Sequence, residues 1–185
     1  MGTIHLVRHG RSALVHDGRW LRAPEVPAYE NAYDAAGIRD DLAPVADVVA
    51  LARLADVLLA SDMRRAIESA RHLDPAREPT IVPALRELRL EPPVWIPAAL
   101  PIALWDAMNH VQWTTRIVLR SDHETVRRAR LAADALLEAA YGCDNVVAVT
   151  HGGIRRIITA ELLRRGRALI SREGGYRNWS CWSLR

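Results

Sequence analysis

The chain has no lysine: all 25 of its basic residues are arginine. It has no phenylalanine either. Both absences read as compositional bias, and no function is assigned to them. Cysteine is scarce, with Cys143 and Cys181 alone, too few for a disulfide framework or a zinc cluster. The expected setting is a reducing cytoplasm. No apolar run approaches the roughly 18 residues that suggest a membrane span. The N-terminus lacks the basic region and apolar core of a secretory signal. Charge of one sign is also in short supply. The isoelectric point is near 9.3, yet the net charge is only +3. The arginines are spread along the chain with no long block and no interleaved aromatics, so neither nucleic acid nor membrane is an expected partner.

What remains is 185 residues, half hydrophobic and a quarter charged. That is enough for one compact domain over 1–185, with 88–121 as a candidate lid or specificity insertion. "IHLV" (4–7) is a short apolar run that reads as a buried strand ending at Arg8-His9-Gly10. Residues 16–44 carry Pro24, Pro27, Gly37 and Pro44 and read as an irregular connection with room for one short helix. "PVADVVALARLA" (44–55) has helical spacing, with proline in the first turn where its missing N–H costs nothing. "VLLAS" (57–61) reads as a buried strand, "DMRRAIESARHL" (62–73) as a helix closed by Pro75, and "TIV" (80–82) as a brief strand.

The proline-rich stretch 88–101 excludes a continuous helix or strand. Helices are expected over 102–113, 124–141 and from Ile154 to about Arg165, and strands over 145–150 and in the C-terminal "NWSCWSL". Strands and helices alternate, which argues an α/β layered domain.

Two of these strands end alike. "HLVRHG" and "VAVTHGG" each deliver a histidine and then glycine at the carboxyl end, the edge where open α/β sheets bind ligands. Glycine lets backbone approach a ligand closely, and a helix starting just beyond adds free amides and positive potential. A third strand, "VLLAS", feeds "SDMRRA", where Ser61, Arg65 and Ser69 are spaced to share one helical face. Arginine presents a planar fork of donors suited to phosphate oxygens. Arg64 reads as a solvated helix position.

With these blocks in view, the sequence resembles the histidine phosphatase superfamily, the phosphoglycerate mutase-like proteins. Four segments carry the likeness: "LVRHGRS", "LLASDMRRAIESA", "IVPALREL" and "VVAVTHGGIRR", together spanning residues 6–156. The resemblance implies a three-layer α/β/α fold with a mostly parallel central sheet. It implies His9 as nucleophile, forming a phosphohistidine, and Arg8, Arg65 and His151 around the phosphoryl group. Ser12 and Gly152 complete the implied phosphate contacts. Glu87 matches the acid that protonates the leaving group and then activates water, against the plainer reading of a solvated strand-end carboxylate. No metal or other cofactor is expected.

The chemistry fits these residue types. Phosphoryl transfer is accelerated mainly by positioning and by neutralising charge on the equatorial oxygens. A histidine attacks only when neutral, and neighbouring guanidiniums disfavour its protonated form. A backbone carbonyl on one ring nitrogen would free the other.

Three departures from the family pattern stand out. Many members carry asparagine six positions after the nucleophile; here Val15 stands there, with His16 beside it. The usual Gly-x-Trp-Glu-Gly after the acid is replaced by "RLEPPVWIP", so Glu91, Asp106 and His123 remain alternatives to Glu87. The expected Gly-Glu-Ser appears only as "SDHET" (121–125), where Glu124 reads as a first-turn helix carboxylate. Trp95, Trp105 and Trp113 read first as a small core under the variable segment, with a pocket-lining role as the alternative.

The leading expectation is a metal-independent phosphomonoesterase acting on a small phosphorylated metabolite or a phosphoprotein. A mutase is disfavoured because the family's mutases are typically longer. A catalytically weak phosphate-binding regulatory protein of the same fold is the alternative. Substrate identity and oligomeric state are not legible in the sequence.

Overall fold

The computed structural model describes residues 1–14, 18–39, 41–119 and 123–185, with backbone alone for 116–118. Val15, His16, Ser121 and Asp122, singled out above, lie outside the described residues. Six strands form the main sheet. They are β1 (Thr3–Arg8), β3 (Val57–Ala60), β4 (Thr80–Ile81), β6 (Asn145–Thr150), β7 (Leu169–Glu173) and β8 (Cys181–Leu184), in the order β4-β3-β6-β1-β8-β7. The first four run parallel, and β8 and β7 close one edge antiparallel. The sheet is thus mostly parallel, as expected. Two further strands, β2 (Trp20–Leu21) and β5 (Leu100–Pro101), pair only with each other.

The layering follows from strand periodicity. Side chains alternate across a strand, so Ile4, Leu6, Val146 and Ala148 face one side and Val7, Val147 and Val149 the other. The first side is covered by α5 (Glu124–Ala139) and α6 (Gly152–Arg164), through Ala129, Ala132, Leu136, Ile154 and Ile158. The second is covered by α2 (Ala46–Leu54) and α3 (Arg64–Leu73), through Val48, Ala52, Ala66, Ala70 and Leu73. The result is a three-layer α/β/α sandwich. Alanine dominates where α5 and α3 meet the sheet, which lets helix and strand approach closely.

Among its described residues, the connection 16–44 holds one α-helix, α1 (Val26–Ala35), with Pro27 in its first turn. The proline-rich stretch after Leu88 stays free of regular structure until β5. The next helix, α4 (Ile102–Val118), runs one turn longer than its spacing suggested. A third apolar cluster of Leu21, Ala23, Val26, Tyr29, Ile102 and Trp105 ties α1 to α4. The three tryptophans therefore divide. Trp105 is fully buried in this cluster, Trp113 belongs to the main core, and Trp95 is 78% exposed. Strand β7 had no counterpart in the sequence reading, and β8 starts later than expected because Trp179 turns the chain with φ +63°.

Candidate active site

Adjacent parallel strands bring the predicted residues together. The order β3-β6-β1 places Ser61, His151 and His9 side by side at the carboxyl edge of the sheet. Backbone bonds extend each ladder one residue past the strand, with Ser61 N–H donating to Val149 O (3.0 Å) and His9 N–H to Thr150 O (2.9 Å). The two imidazoles lie 4.9 Å apart between ring centroids, tilted by 54°.

His9 is buried, and its Nδ1 is 2.6 Å from the Gly10 carbonyl oxygen. A carbonyl only accepts, so the proton sits on Nδ1 and Nε2 keeps its lone pair. Among the described residues this is the ring's only hydrogen bond. Burial, then the charges of Arg65 and Arg8, push the pKa well below the usual imidazole range, against the Gly10 bond and with a further push from Arg155. His9 is therefore neutral at neutral pH.

Gly10 is itself clamped. Its N–H donates to Ser69 Oγ (2.8 Å), and Ser69 donates on to Arg65 O (2.5 Å). Asn178 Nδ2 reaches the carbonyls of His9 (2.9 Å) and Gly10 (3.2 Å). A Cβ on Gly10 would lie 2.5 Å from the Trp179 ring, so only glycine fits.

His151 is completely buried, with Nε2 2.8 Å from Ser61 Oγ and Nδ1 without a partner among the described residues. Ser61 Oγ also accepts the Met63 amide at 3.1 Å. Burial, then His9, Arg65 and Arg8, hold the His151 pKa well below the ordinary range.

Arg65 is 1% exposed. Its fork donates to Tyr33 O (3.0 Å) and Asp34 Oδ1 (3.3 Å), and its guanidinium stacks 4.5 Å over the Tyr33 ring. Arg8 donates to the Tyr176 carbonyl and lies against Gly152, where a Cβ would come within 3.3 Å of its guanidinium carbon. The Nε atoms of both arginines are buried without a protein partner among the described residues. Three buried nitrogens left open beside a neutral histidine are what an anion would satisfy.

Glu87 follows a 3-10 turn (Pro83–Leu85) and reaches the start of α6. Its Oε2 accepts Gly153 N–H (3.0 Å), and its Oε1 accepts Ile154 N–H (2.8 Å) and Leu88 N–H (3.0 Å). The plainer reading of Glu87 as a solvated carboxylate does not hold: the side chain caps α6, where an anion is favoured by the helix dipole.

A cavity of about 390 Å³ opens onto Arg8, Arg65, Glu87 and Gly152. Of the alternatives to Glu87, Asp106 lines it too. Glu91 and His123 face each other at 3.8 Å and are not part of its wall. Ser12 is buried with its hydroxyl accepting the Leu14 amide at 3.3 Å, and it also lies outside the cavity lining.

Set beside known proteins, residues 4–184 match the model of the histidine phosphatase superfamily (branch 1). The chain belongs to the histidine phosphatase superfamily. Among solved structures, this histidine phosphatase superfamily chain is similar to a mycobacterial glucosyl-3-phosphoglycerate phosphatase in complex with VO3. The two are 20% identical with a TM-score of 0.55, covering 89% of this chain and 83% of that one. A structure described as mycobacterial hydrolase 1 is 18% identical with a TM-score of 0.57, covering 100% and 97% of the two chains. A phosphoserine phosphatase from Entamoeba histolytica is 13% identical with a TM-score of 0.53, covering 89% and 81%. At these identities the likeness is one of fold. Among curated proteins no sequence matches significantly.

Several site residues of this superfamily member escaped the sequence reading. Tyr33 and Asp34 come from α1, inside the connection read as irregular. Asn178 and Trp179 come from the turn before β8. Arg155 is buried beside the site, bonded to carbonyls of Leu6, Ser180 and Gly175 and stacked 4.2 Å over Trp182. Burial lowers its pKa to about 10, helped by the charge of Arg8. Arg8, at the end of β1, and Gly152, at the start of α6, both line the cavity.

Proposed function

We propose that the chain is a phosphomonoesterase working through a phosphohistidine on His9. The observation that carries this reading is the state of His9. It is neutral, its Nδ1 proton is committed to Gly10 O, and its Nε2 is left open among Arg8, Arg65 and His151. Nε2 attacks phosphorus as the ester P–O bond breaks. The two guanidiniums and the His151 ring around it stabilise charge on the equatorial oxygens, which is the main source of acceleration in this chemistry. With the Ser61 hydroxyl donating to Nε2 of His151, the proton rests on Nδ1, an open donor for a phosphoryl oxygen.

Glu87 is the general acid, passing a proton to the departing alkoxide. In the second half it takes a proton from water as that water attacks the phosphohistidine. Inorganic phosphate leaves and His9 returns to its starting state.

A specific observation favours a second reading, a phosphate-binding regulatory protein of the same fold. Both oxygens of Glu87 are already held by backbone amides, which would keep the acid on α6 rather than on a leaving group.

Hydrolysis of p-nitrophenyl phosphate in EDTA, for wild type and His9→Ala, separates the two. Turnover that persists in EDTA and disappears with His9 is expected. A folded wild type that binds inorganic phosphate but hydrolyses nothing would favour the regulatory reading.

A further inference from the structure

The cavity beside the phosphate site has two chemically opposite walls. One is cationic, with Arg8 at the end of β1, Arg65 on α3 and Arg156 on α6. The other is acidic and comes from two helices that the sandwich does not need. Glu30 and Asp34 sit one turn apart on α1, and Asp106 and His110 one turn apart on α4. The cluster of Val26, Tyr29, Ile102 and Trp105 holds these helices together.

The carboxylates are not equally engaged. Asp34 is claimed by Arg65 at 3.3 Å. Glu30, half-buried, accepts the Leu90 amide at 2.6 Å, and Asp106 meets His110 Nε2 at 3.6 Å. Among the described residues neither is paired directly with an arginine, and Arg89 acts on Glu30 only through its charge, so the wall keeps carboxylates without a direct cationic partner. Burial pushes the Glu30 carboxyl up to about 6, with the Asp34 and Asp106 charges adding to the push against the Leu90 bond and the Arg89 charge. Hydroxyl groups of a ligand would hydrogen-bond to these oxygens without removing the charge, whereas a cation would remove it. A metal ion is the poorer occupant, since no group of three potential ligands among the described residues is gathered closely enough to hold one.

From this juxtaposition we infer that the substrate is a small aminoalkyl phosphate ester, its phosphate on Arg8 and Arg65 and its ammonium on Glu30 and Asp106. The inference rests on the phosphatase reading and names its substrate class. The open nitrogens of Arg8, Arg65 and His151 mark where the anion goes. The carboxylates of Glu30 and Asp106, without a direct arginine partner among the described residues, mark where the cation goes, and the cavity joins the two.

The test compares kcat/KM for O-phosphoethanolamine, n-propyl phosphate, glucose 6-phosphate and p-nitrophenyl phosphate. It uses wild type, Glu30→Gln and the exposed-site variant Asp106→Asn. Wild type should prefer phosphoethanolamine over its uncharged propyl analogue by about tenfold or more, a preference that falls at high salt. Either variant should cut that ratio to about threefold or less. Equal or faster turnover of propyl phosphate or glucose 6-phosphate, with His9-dependent hydrolysis of p-nitrophenyl phosphate intact, overturns the amine site and leaves the phosphatase reading standing. A ratio unchanged in both folded variants also overturns it. Failure to hydrolyse any of the four takes the phosphatase reading down and this inference with it.

Discussion

The Ser69 hydroxyl accepts the Gly10 amide at 2.8 Å, and the same Gly10 offers its carbonyl to His9 Nδ1 at 2.6 Å. One residue of α3 thus fixes, through a glycine, which nitrogen of the candidate nucleophile carries the proton. Ser69→Ala leaves a buried N–H unpaired, which costs about 1–3 kcal/mol and lowers Tm by several degrees. The rate of p-nitrophenyl phosphate hydrolysis should fall further than stability alone explains. Thermal melts and steady-state kinetics on the same preparation check both.

His9 and His151 give a pH signature. Burial and the neighbouring positive charges depress both pKa values below 6.5. The unfolded chain therefore takes up protons that the folded chain refuses as pH falls. Stability is fully present above about 6.5 and is lost as pH drops from there toward the folded values. Each ring contributes a slope of up to about 1.4 kcal/mol per pH unit. Glu30, pushed up to about 6, opposes this between its unfolded value and 6, but it does so equally in a His9→Gln variant. Denaturant melts between pH 7 and 5 should show a shallower slope for His9→Gln than for wild type.

Glu87 has two jobs that separate by leaving group. Glu87→Gln keeps one acceptor for the α6 amides and loses the other, a cost of about 1 kcal/mol in helix capping. As the proton donor, it matters most where the leaving alkoxide is basic. Glu87→Gln should slow alkyl phosphate hydrolysis by roughly 100-fold or more and p-nitrophenyl phosphate far less. If only Glu91→Gln or Asp106→Asn produces that pattern, the acid lies elsewhere.

Asp34 holds the Arg65 fork from α1 at 3.3 Å. Asp34→Asn keeps the shape and removes the charge, freeing the guanidinium from its carboxylate without fixing its direction. KM and the inhibition constant of inorganic phosphate should rise roughly threefold or more. Unchanged phosphate inhibition would mean that the Tyr33 carbonyl and ring position Arg65 unaided.

The readable parts of this molecule are those whose physics is local. β1, β3 and β6 are short, mostly apolar runs followed by His-Gly or Ser-Asp, so both the strands and the residues they present at the sheet edge are visible in the sequence. Ser61, Arg65 and Ser69 were picked by helical spacing, and all three reach the site, although Ser61 lies in the loop before α3. What stayed hidden depends on contacts across the chain. Nothing local in α1, with its prolines nearby, says that Tyr33 and Asp34 will brace Arg65. Nothing in "RNWS" announces that Asn178 will hold the His9 and Gly10 carbonyls. β7 was missed because an edge strand with two arms of charge, Arg172 and Glu173, has no apolar run to reveal it. Glu87 was found by resemblance, but its seat on α6 was not, since that needs the distance between two loops.

The most direct test of the central claim is to trap the intermediate. Wild type mixed with p-nitrophenyl phosphate and quenched in alkali should carry one added phosphoryl group on the peptide containing His9, stable to base and lost in mild acid. The adduct should be absent from His9→Ala. A wild type that turns over substrate with no such adduct, or with the phosphoryl group on another residue, would contradict the phosphohistidine mechanism.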